Sequence, residues 1–157
     1  ARGFDAPKLT LSILICAIPS RRRQLERLVD YLRWQMRGFP QQVEICVDLD
    51  ETVTVGEKRQ RLLERAVGSY VAFCDDDDWI DHRYVERVLK ACAEGKDCCS
   101  LVGIITENGS NPRRFEHSMK HFQSFIVLIR SIASSSLSLF IEDCLGHLSF
   151  SEGLLKS

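Results

Sequence analysis

The fold of this chain is decided by residues 53–81, which read VTVGEKRQRLLERAVGSYVAFCDDDDWID. The first half has apolar residues at helical spacing between charged ones, which predicts an amphipathic helix. Gly68 stands where a C-cap glycine would end such a helix. Ser69 to Cys74 then form a short apolar run that is typical of a buried strand, and four aspartates follow it directly. The apolar side of the helix consists of Leu62, Leu63, Ala66 and Val67.

The segments on either side repeat this alternation of strand and helix. Leu9 to Ile18 predict a strand buried on both faces, followed by a helix that Ser20 can cap. Val43 to Val47 form a second strand, and Leu101 to Ile105 are predicted as a fourth. Asp81 can cap the helix that precedes this fourth strand. The order β-α-β-α-β-α-β is typical of an α/β fold, with a mostly parallel central sheet flanked by helices.

Length and composition fit one globular domain, and we take residues 1–157 as a single domain. The chain has 157 residues and a formal net charge of -1, which argues against binding nucleic acid by bulk charge. No uninterrupted apolar run reaches about 18 residues, so we expect no membrane span. The N-terminus has no apolar signal-peptide core, and the seven cysteines contain no C-x-x-C pair. Free thiols in a reducing, cytoplasmic location are therefore expected.

The four consecutive aspartates, Asp75 to Asp78, are the strongest functional signal in the chain. Ligands of open α/β sheets bind at the carboxyl ends of the strands, where this cluster lies. Carboxylates in a row repel one another, and a bound divalent cation such as Mg²⁺ or Mn²⁺ would offset that repulsion. In an extended segment, Asp75 and Asp77 would point the same way and reach one ion. The alternative is a solvated acidic loop or a negatively charged helix N-terminus.

Residues 9–107 resemble the nucleotide-sugar-binding core of the GT-A glycosyltransferases, in particular family 2. That family has a strand, a helix and a strand ending in Asp, then an R-N pair, an A-x-G-x-Y segment and D-x-D-D. The resemblance implies a single GT-A domain, which is a Rossmann-like fold of nucleotide-diphospho-sugar transferases. The positions that match the A-x-G-x-Y and D-x-D-D patterns are Ala66, Gly68, Tyr70, Asp75, Asp77 and Asp78.

The resemblance also implies roles for single residues toward a nucleoside-diphosphate sugar donor. Asp48, at the end of the second strand, would accept a hydrogen bond from the nucleobase. Arg59 matches the Arg of the R-N pair and would help to hold the nucleotide, although Gln60 replaces the usual Asn. Asp77 and Asp78 would carry the Mn²⁺ or Mg²⁺ ion that binds the diphosphate. The remaining donor-binding positions that it implies are Pro19, Asp75 and Asp76.

The acceptor side is expected in residues 108–157, which are shorter than the corresponding part of the family. Inverting members need a general base that takes the proton from a hydroxyl-bearing acceptor. In the family this base is an Asp in a late E-D pair. Glu142-Asp143 matches that pair, so the resemblance makes Asp143 the candidate base. The acceptor itself is not identified by the sequence.

Two other functions remain open at this point. The short acceptor side is compatible with a degenerate or truncated module that binds a nucleotide sugar without transferring it. Alternatively, residues 44–53 read EICVDLDETV, which resembles the start of a haloacid-dehalogenase-like phosphatase. In that case Asp48 would be the nucleophile and Asp50 the acid/base, with Mg²⁺ between them. A complete β-α unit precedes the motif here, whereas it normally lies on the first strand.

Overall fold

The computed structural model describes residues 9–95, 98–99, 102–107, 110–116 and 128–130. Helices α1 to α3 separate the first four strands, and a short 3-10 turn at Pro19–Arg21 leads into α1. No helix in these ranges is both long and apolar enough to pass through a membrane. The elements are β1 (Leu11–Cys16), α1 (Arg22–Met36), β2 (Val43–Asp48), α2 (Val55–Arg65), β3 (Tyr70–Asp75), α3 (Tyr84–Ala93), β4 (Cys98–Cys99), β5 (Val102–Glu107), β6 (Ser110–Glu116) and β7 (Leu128–Arg130).

The central sheet has the strand order β2-β1-β3-β7-β4. Strand β1 pairs in parallel with both β2 and β3, whereas β7 runs antiparallel to β3 and to β4. The predicted α/β fold with a mostly parallel sheet is therefore confirmed. The parallel part consists of β1, β2 and β3, which are the first three strands that the sequence pattern predicted.

The prediction that Leu101–Ile105 extends the parallel sheet was wrong. Strand β5 pairs antiparallel with β6 in a separate two-stranded sheet. Only residues 108 and 109 connect β5 to β6, and they are Asn-Gly, the pair most typical of a two-residue hairpin connection. A parallel crossover needs about a dozen residues, so this connection can form only an antiparallel pair.

The sheet is buried on both faces, which explains why β1 is apolar apart from the small Ser12. Leu14 of β1 and Val71 of β3 pack with Leu62 of α2 on one face. Helices α1 and α3 cover the opposite face, where Ile13 and Ile15 lie in the larger core cluster. Four cysteines in or near these layers are free thiols: Cys16, Cys46, Cys74 and Cys92.

Gly68 does not act as a helix C-cap. Helix α2 ends at Arg65, and its C-cap residue is Ala66 in an extended conformation. Gly68 instead lies against β1, where its amide donates to Ser12 Oγ at 2.8 Å. A Cβ atom at Gly68 would come within 2.7 Å of the Ser12 amide nitrogen and 2.8 Å of the Leu11 carbonyl carbon. The glycine is therefore required by the close approach of two backbones, not by a left-handed turn.

Two of the predicted helix caps were also wrong. Ser20 makes no capping bond, because Pro19 begins a 3-10 turn that places Arg21 at the N-cap of α1. Asp81 lies outside α3, whose N-cap is Arg83. Its carboxylate accepts the Arg83 amide at 2.9 Å, which is the two-residue spacing of an Asx turn.

Helix α2 has a capping box that the sequence analysis missed. The Glu57 amide donates to Thr54 Oγ1 at 3.2 Å, and the Thr54 amide donates to Glu57 Oε2 at 2.7 Å. Both bonds satisfy amides that have no partner within the helix. The box fixes the start of the helix that carries Lys58 and Arg59.

Replacing Thr54 with Ala should lower the free energy of unfolding by about 1 kcal/mol, because the Glu57 amide loses its acceptor. Urea unfolding followed by circular dichroism measures this change. Thr54→Ser keeps the hydroxyl and is the matched control, so it should stay close to the wild type. An equal loss in both variants would show that the threonine methyl group, and not the cap, is responsible.

Candidate functional site

The carboxyl ends of the three parallel strands lie side by side. Cys16, the last residue of β1, is in register with Asp48 at the end of β2 and with Asp75 at the end of β3. Helix α1 follows β1 on one face of the sheet, and α2 follows β2 on the other. Connections that leave in opposite directions open a crevice above the strand ends, and this is where α/β sheets bind ligands.

The acidic turn, which we define as Asp75 to Asp78, closes one side of this crevice. Strand β3 ends at Asp75, and the Asp78 amide donates to the Asp75 carbonyl oxygen at 3.1 Å. The segment is therefore a turn, and the expectation that Asp75 and Asp77 project from one extended strand was wrong. A turn forms because the Asp78 carboxylate also folds back and accepts the Asp75 amide at 3.0 Å.

The four carboxylates of the acidic turn have different surroundings. Asp76 is only 1% exposed, and its Oδ2 accepts the Ile18 amide at 3.2 Å. Asp78 lies at the surface, yet desolvation of its carboxyl raises its pKa, which the charges of Asp75 and Asp77 raise further and the hydrogen bond from the Asp75 amide lowers. Asp76 is thus the buried member of the turn, whereas Asp75, Asp77 and Asp78 lie at the exposed surface.

Two arginines contact the acidic turn, Arg21 from the 3-10 turn before α1 and Arg27 from the first half of α1. Arg21 Nη1 lies 2.6 Å from Asp77 Oδ2 and 3.3 Å from Asp76 Oδ1. Arg27 Nη2 donates to the Asp78 carbonyl oxygen at 3.1 Å, and its guanidinium lies 3.8 Å from the ring centroid of Trp79. The sequence offered no sign of this pairing, because more than 45 residues separate each arginine from its partners.

The opposite side of the crevice is built around Asp48. Its side chain is 8% exposed, and Oδ1 accepts the Asp50 amide at 3.0 Å. Asp50 in turn accepts the amide and the hydroxyl of Thr52, and Arg61 Nη1 lies 2.8 Å from its Oδ2. The Thr52 hydroxyl and Arg61 hold the pKa of Asp50 far below its usual range. Both carboxylate oxygens of Asp50 therefore already have partners within the chain.

The family model of glycosyl transferase family 2 matches residues 30–144, which is more than two thirds of the chain. This chain belongs to glycosyl transferase family 2. The match includes the second half of α1, β2, α2, β3 and the acidic turn, and it extends through Glu142-Asp143. No curated protein matches the chain. Family membership makes the chain a glycosyltransferase domain of the nucleotide-sugar-binding type, with a donor and an acceptor as its two substrates.

Most of the donor-binding residues implied for a family 2 glycosyltransferase lie around this crevice. Asp48, Asp75 and the rest of the acidic turn stand at the strand ends. Pro19 begins the 3-10 turn after β1, and it precedes the residues that the family model matches. The Arg59 guanidinium lies 5.5 Å from the Phe73 ring centroid, on the face covered by α2. Asp143 lies outside the described residues.

Lys58 is a residue at this site that the sequence analysis did not assign. It is 3% exposed, and its Nζ donates to the Ala17 carbonyl oxygen at 2.7 Å. The charges of Arg59 and Lys58 lower the pKa of the Cys16 thiol, whereas desolvation by burial, the largest effect, and the charges of Asp75 and Asp48 raise it. A lysine next to an arginine near the start of a helix was the only signal in the sequence. Its burial depends on the packing of α2 over β1.

The carboxylates of the acidic turn are the kind of ligand that a hard divalent cation prefers. The protein would supply only some of the ligands of such an ion. Within the described ranges, no three Asp, Glu, His or Cys side chains converge on a point that could hold a metal ion. Mg²⁺ usually binds one or two carboxylates and completes its shell with water and substrate phosphates. Asp77 and Asp78 can supply two such carboxylates, and a donor diphosphate would supply further oxygens.

Proposed function

We propose that this glycosyltransferase binds a nucleoside-diphosphate sugar above the ends of β1, β2 and β3, and transfers its sugar to a hydroxyl-bearing acceptor with inversion. The observation that carries the proposal is the register of Cys16 with Asp48 on one side and with Asp75, the start of the acidic turn, on the other. Adjacent strands lie about 5 Å apart, so the two acidic groups span about 10 Å. That distance suits a nucleotide with its base at one end and its diphosphate at the other.

Each side of the crevice would contact a different part of the donor. Asp48 Oδ1 is occupied by the Asp50 amide, which orients the carboxylate to accept an N–H of the nucleobase through its other oxygen. Arg59 would hold the nucleotide, with Asp75, Asp76 and the 3-10 turn at Pro19 around the ribose and diphosphate. Asp77 and Asp78 would hold Mn²⁺ or Mg²⁺, which offsets the charge that develops on the departing nucleoside diphosphate.

Isothermal calorimetry with UDP, GDP and TDP, each with and without Mn²⁺, tests the donor site. We expect one of the three nucleotides to bind in a metal-dependent manner. The absence of binding to all three with Mn²⁺ present would refute the proposal. Hydrolysis of p-nitrophenyl phosphate that disappears in Asp48→Asn would instead support the phosphatase alternative.

Replacing Asp143 with Asn should lower the rate of sugar transfer at least about a hundredfold, because a carboxamide cannot take the acceptor proton. Nucleotide affinity should not change, since the proposed base acts on the acceptor. Transfer is measured from release of nucleoside diphosphate in the presence of candidate hydroxyl acceptors. Glu142→Gln is the neighbouring control and should keep its activity.

The same measurements separate the enzyme from a binding module. A wild-type protein that binds a donor but neither transfers nor hydrolyses it would be a nucleotide-sugar-binding module. If Asp143→Asn were as active as the wild type, the general base would lie elsewhere in the chain.

A further inference from the structure

One peptide group at the end of β1 lies between two buried, oppositely charged side chains. The carbonyl oxygen of Ala17 accepts a hydrogen bond from Lys58 Nζ at 2.7 Å. The amide of Ile18, which belongs to the same peptide group, donates to Asp76 Oδ2 at 3.2 Å. We call Lys58, this peptide group and Asp76 the Lys58–Asp76 bridge.

Neither charge of the Lys58–Asp76 bridge is fully neutralised by another side chain. Lys58 is 3% exposed, and no carboxylate among the described residues lies within 4.0 Å of its ammonium group. Asp76 is 1% exposed, and its Oδ1 makes no hydrogen bond, although Arg21 lies 3.3 Å from it. An isolated buried ion is very unfavourable, so such groups are normally paired or hydrogen-bonded.

The peptide group between the two charges has the orientation that stabilises both. Its negative end, the carbonyl oxygen, faces the lysine, and its positive end, the amide, faces the aspartate. Hydrogen bonds to charged groups are shorter and stronger than neutral ones. Bonds that share one group also polarise each other in a low-dielectric interior. The two buried charges are therefore joined through one peptide group although they do not touch.

The Lys58–Asp76 bridge connects α2 to the acidic turn. Lys58 lies in the first turns of α2, and Asp76 is the second residue of the acidic turn. The peptide group that joins them leads directly into Pro19 and Arg21, and Arg21 contacts Asp77. A change at Lys58 would therefore alter both the loop after β1 and the position of the acidic turn.

We propose that Lys58 is a positioning residue, which acts through the Ala17–Ile18 peptide group and Asp76 to fix the acidic turn in the geometry that binds the metal and diphosphate. This inference rests on the proposed donor site. Lys58 itself need not contact the donor, since its ammonium group is directed at a main-chain oxygen.

A double-mutant cycle tests the Lys58–Asp76 bridge, with Lys58→Met, Asp76→Asn and the double variant. Methionine keeps most of the apolar stem, and asparagine can still accept the Ile18 amide, so both changes mainly remove charge. We expect each single change to weaken Mn²⁺-dependent nucleotide binding about tenfold, with the double variant no weaker than either. In Lys58→Met, binding measured without Mn²⁺ should change less than twofold, because Lys58 does not contact the donor, and Lys58→Arg should recover part of the metal-dependent affinity.

Two results would overturn this inference. One is a double variant whose loss equals the product of the two single losses. The other is an equal loss of affinity with and without Mn²⁺ in Lys58→Met, which would indicate a direct donor contact or a general structural role. If the wild type binds no nucleotide, the proposed function fails, and the same cycle measured by urea unfolding still decides whether the two charges are coupled. If Lys58→Met does not fold, Lys58→Arg replaces it in the cycle. The free energy of unfolding of Lys58→Arg is then compared with that of the Lys58→Arg, Asp76→Asn double variant.

Discussion

Replacing Asp77 with Asn should lower the rate of sugar transfer about a thousandfold in the presence of Mn²⁺. The metal is expected to stabilise the departing diphosphate by several kcal/mol, and a thousandfold loss corresponds to about 4 kcal/mol. In the wild type, Arg21 Nη1 donates to Asp77 Oδ2 at 2.6 Å. Asparagine has nearly the same shape, and its side-chain carbonyl oxygen can still accept this hydrogen bond. The change therefore removes the negative charge while keeping the contact that holds the acidic turn.

The matching binding experiment is a calorimetric titration of nucleoside diphosphate at several Mn²⁺ concentrations. The Asp77→Asn variant should bind equally weakly with and without the metal. Asp30→Asn is the control, because Asp30 is an exposed carboxylate of α1 for which the described part of the chain provides no hydrogen bond or ion pair. Metal-dependent binding that survives in Asp77→Asn would show that this residue is not a metal ligand.

Replacing Gly68 with Ala should lower the free energy of unfolding by about 3 kcal/mol, at the upper end of what overpacking usually costs. The added methyl group would lie 2.7 Å from the Ser12 amide nitrogen and 2.8 Å from the Leu11 carbonyl carbon. These are backbone atoms of β1, which cannot move without disturbing its pairing with β2 on one side and β3 on the other. The shift would also break the bond from the Gly68 amide to Ser12 Oγ.

Gly56→Ala is the matched control for this substitution, since it makes the same chemical change in the same α/β unit. A Cβ atom at Gly56 would meet only Thr54 Oγ1, at an ordinary 3.8 Å. Alanine should therefore be neutral there, or stabilise α2 by up to about 1 kcal/mol. Urea unfolding of both variants gives the comparison. If Gly68→Ala were as stable as Gly56→Ala, the close approach to β1 would not constrain the chain.

The parallel part of the fold could be predicted because buried strands and the helices that cover them have a strong hydrophobic pattern in the sequence. Strand β1 is covered on both faces, so every position is apolar or small, and the two helices after β1 and β2 show clear amphipathic spacing. The hydrophobic pattern was less informative where the preferences of turn residues decide the local structure. Pro19 begins a 3-10 turn in place of the expected serine cap, and a two-residue Asn-Gly connection turns β5 into a hairpin.

The candidate site could be predicted only as a set of acidic residues. The position of Asp48 and of the acidic turn follows from strand ends, which the hydrophobic pattern locates well. The basic side chains near these acidic residues come from distant parts of the chain. Arg21 and Lys58 reach the site from different helical segments. Such contacts depend on how α1 and α2 pack across opposite faces of the sheet, and no local sequence pattern encodes that arrangement.

The position of the Cys16 thiol raises the question of whether it could react with an activated sugar. It lies between Asp48 and Asp75 in the strand register, where a cysteine could itself attack the electrophilic carbon of a donor. Burial raises the pKa of this thiol, and the two aspartates raise it further, against the opposing effect of Arg59 and Lys58. The thiol therefore stays protonated near neutral pH, and a protonated thiol is a poor nucleophile. We therefore expect the half-buried sulfur between these two strand ends to react slowly, both with a bound donor and with oxidants.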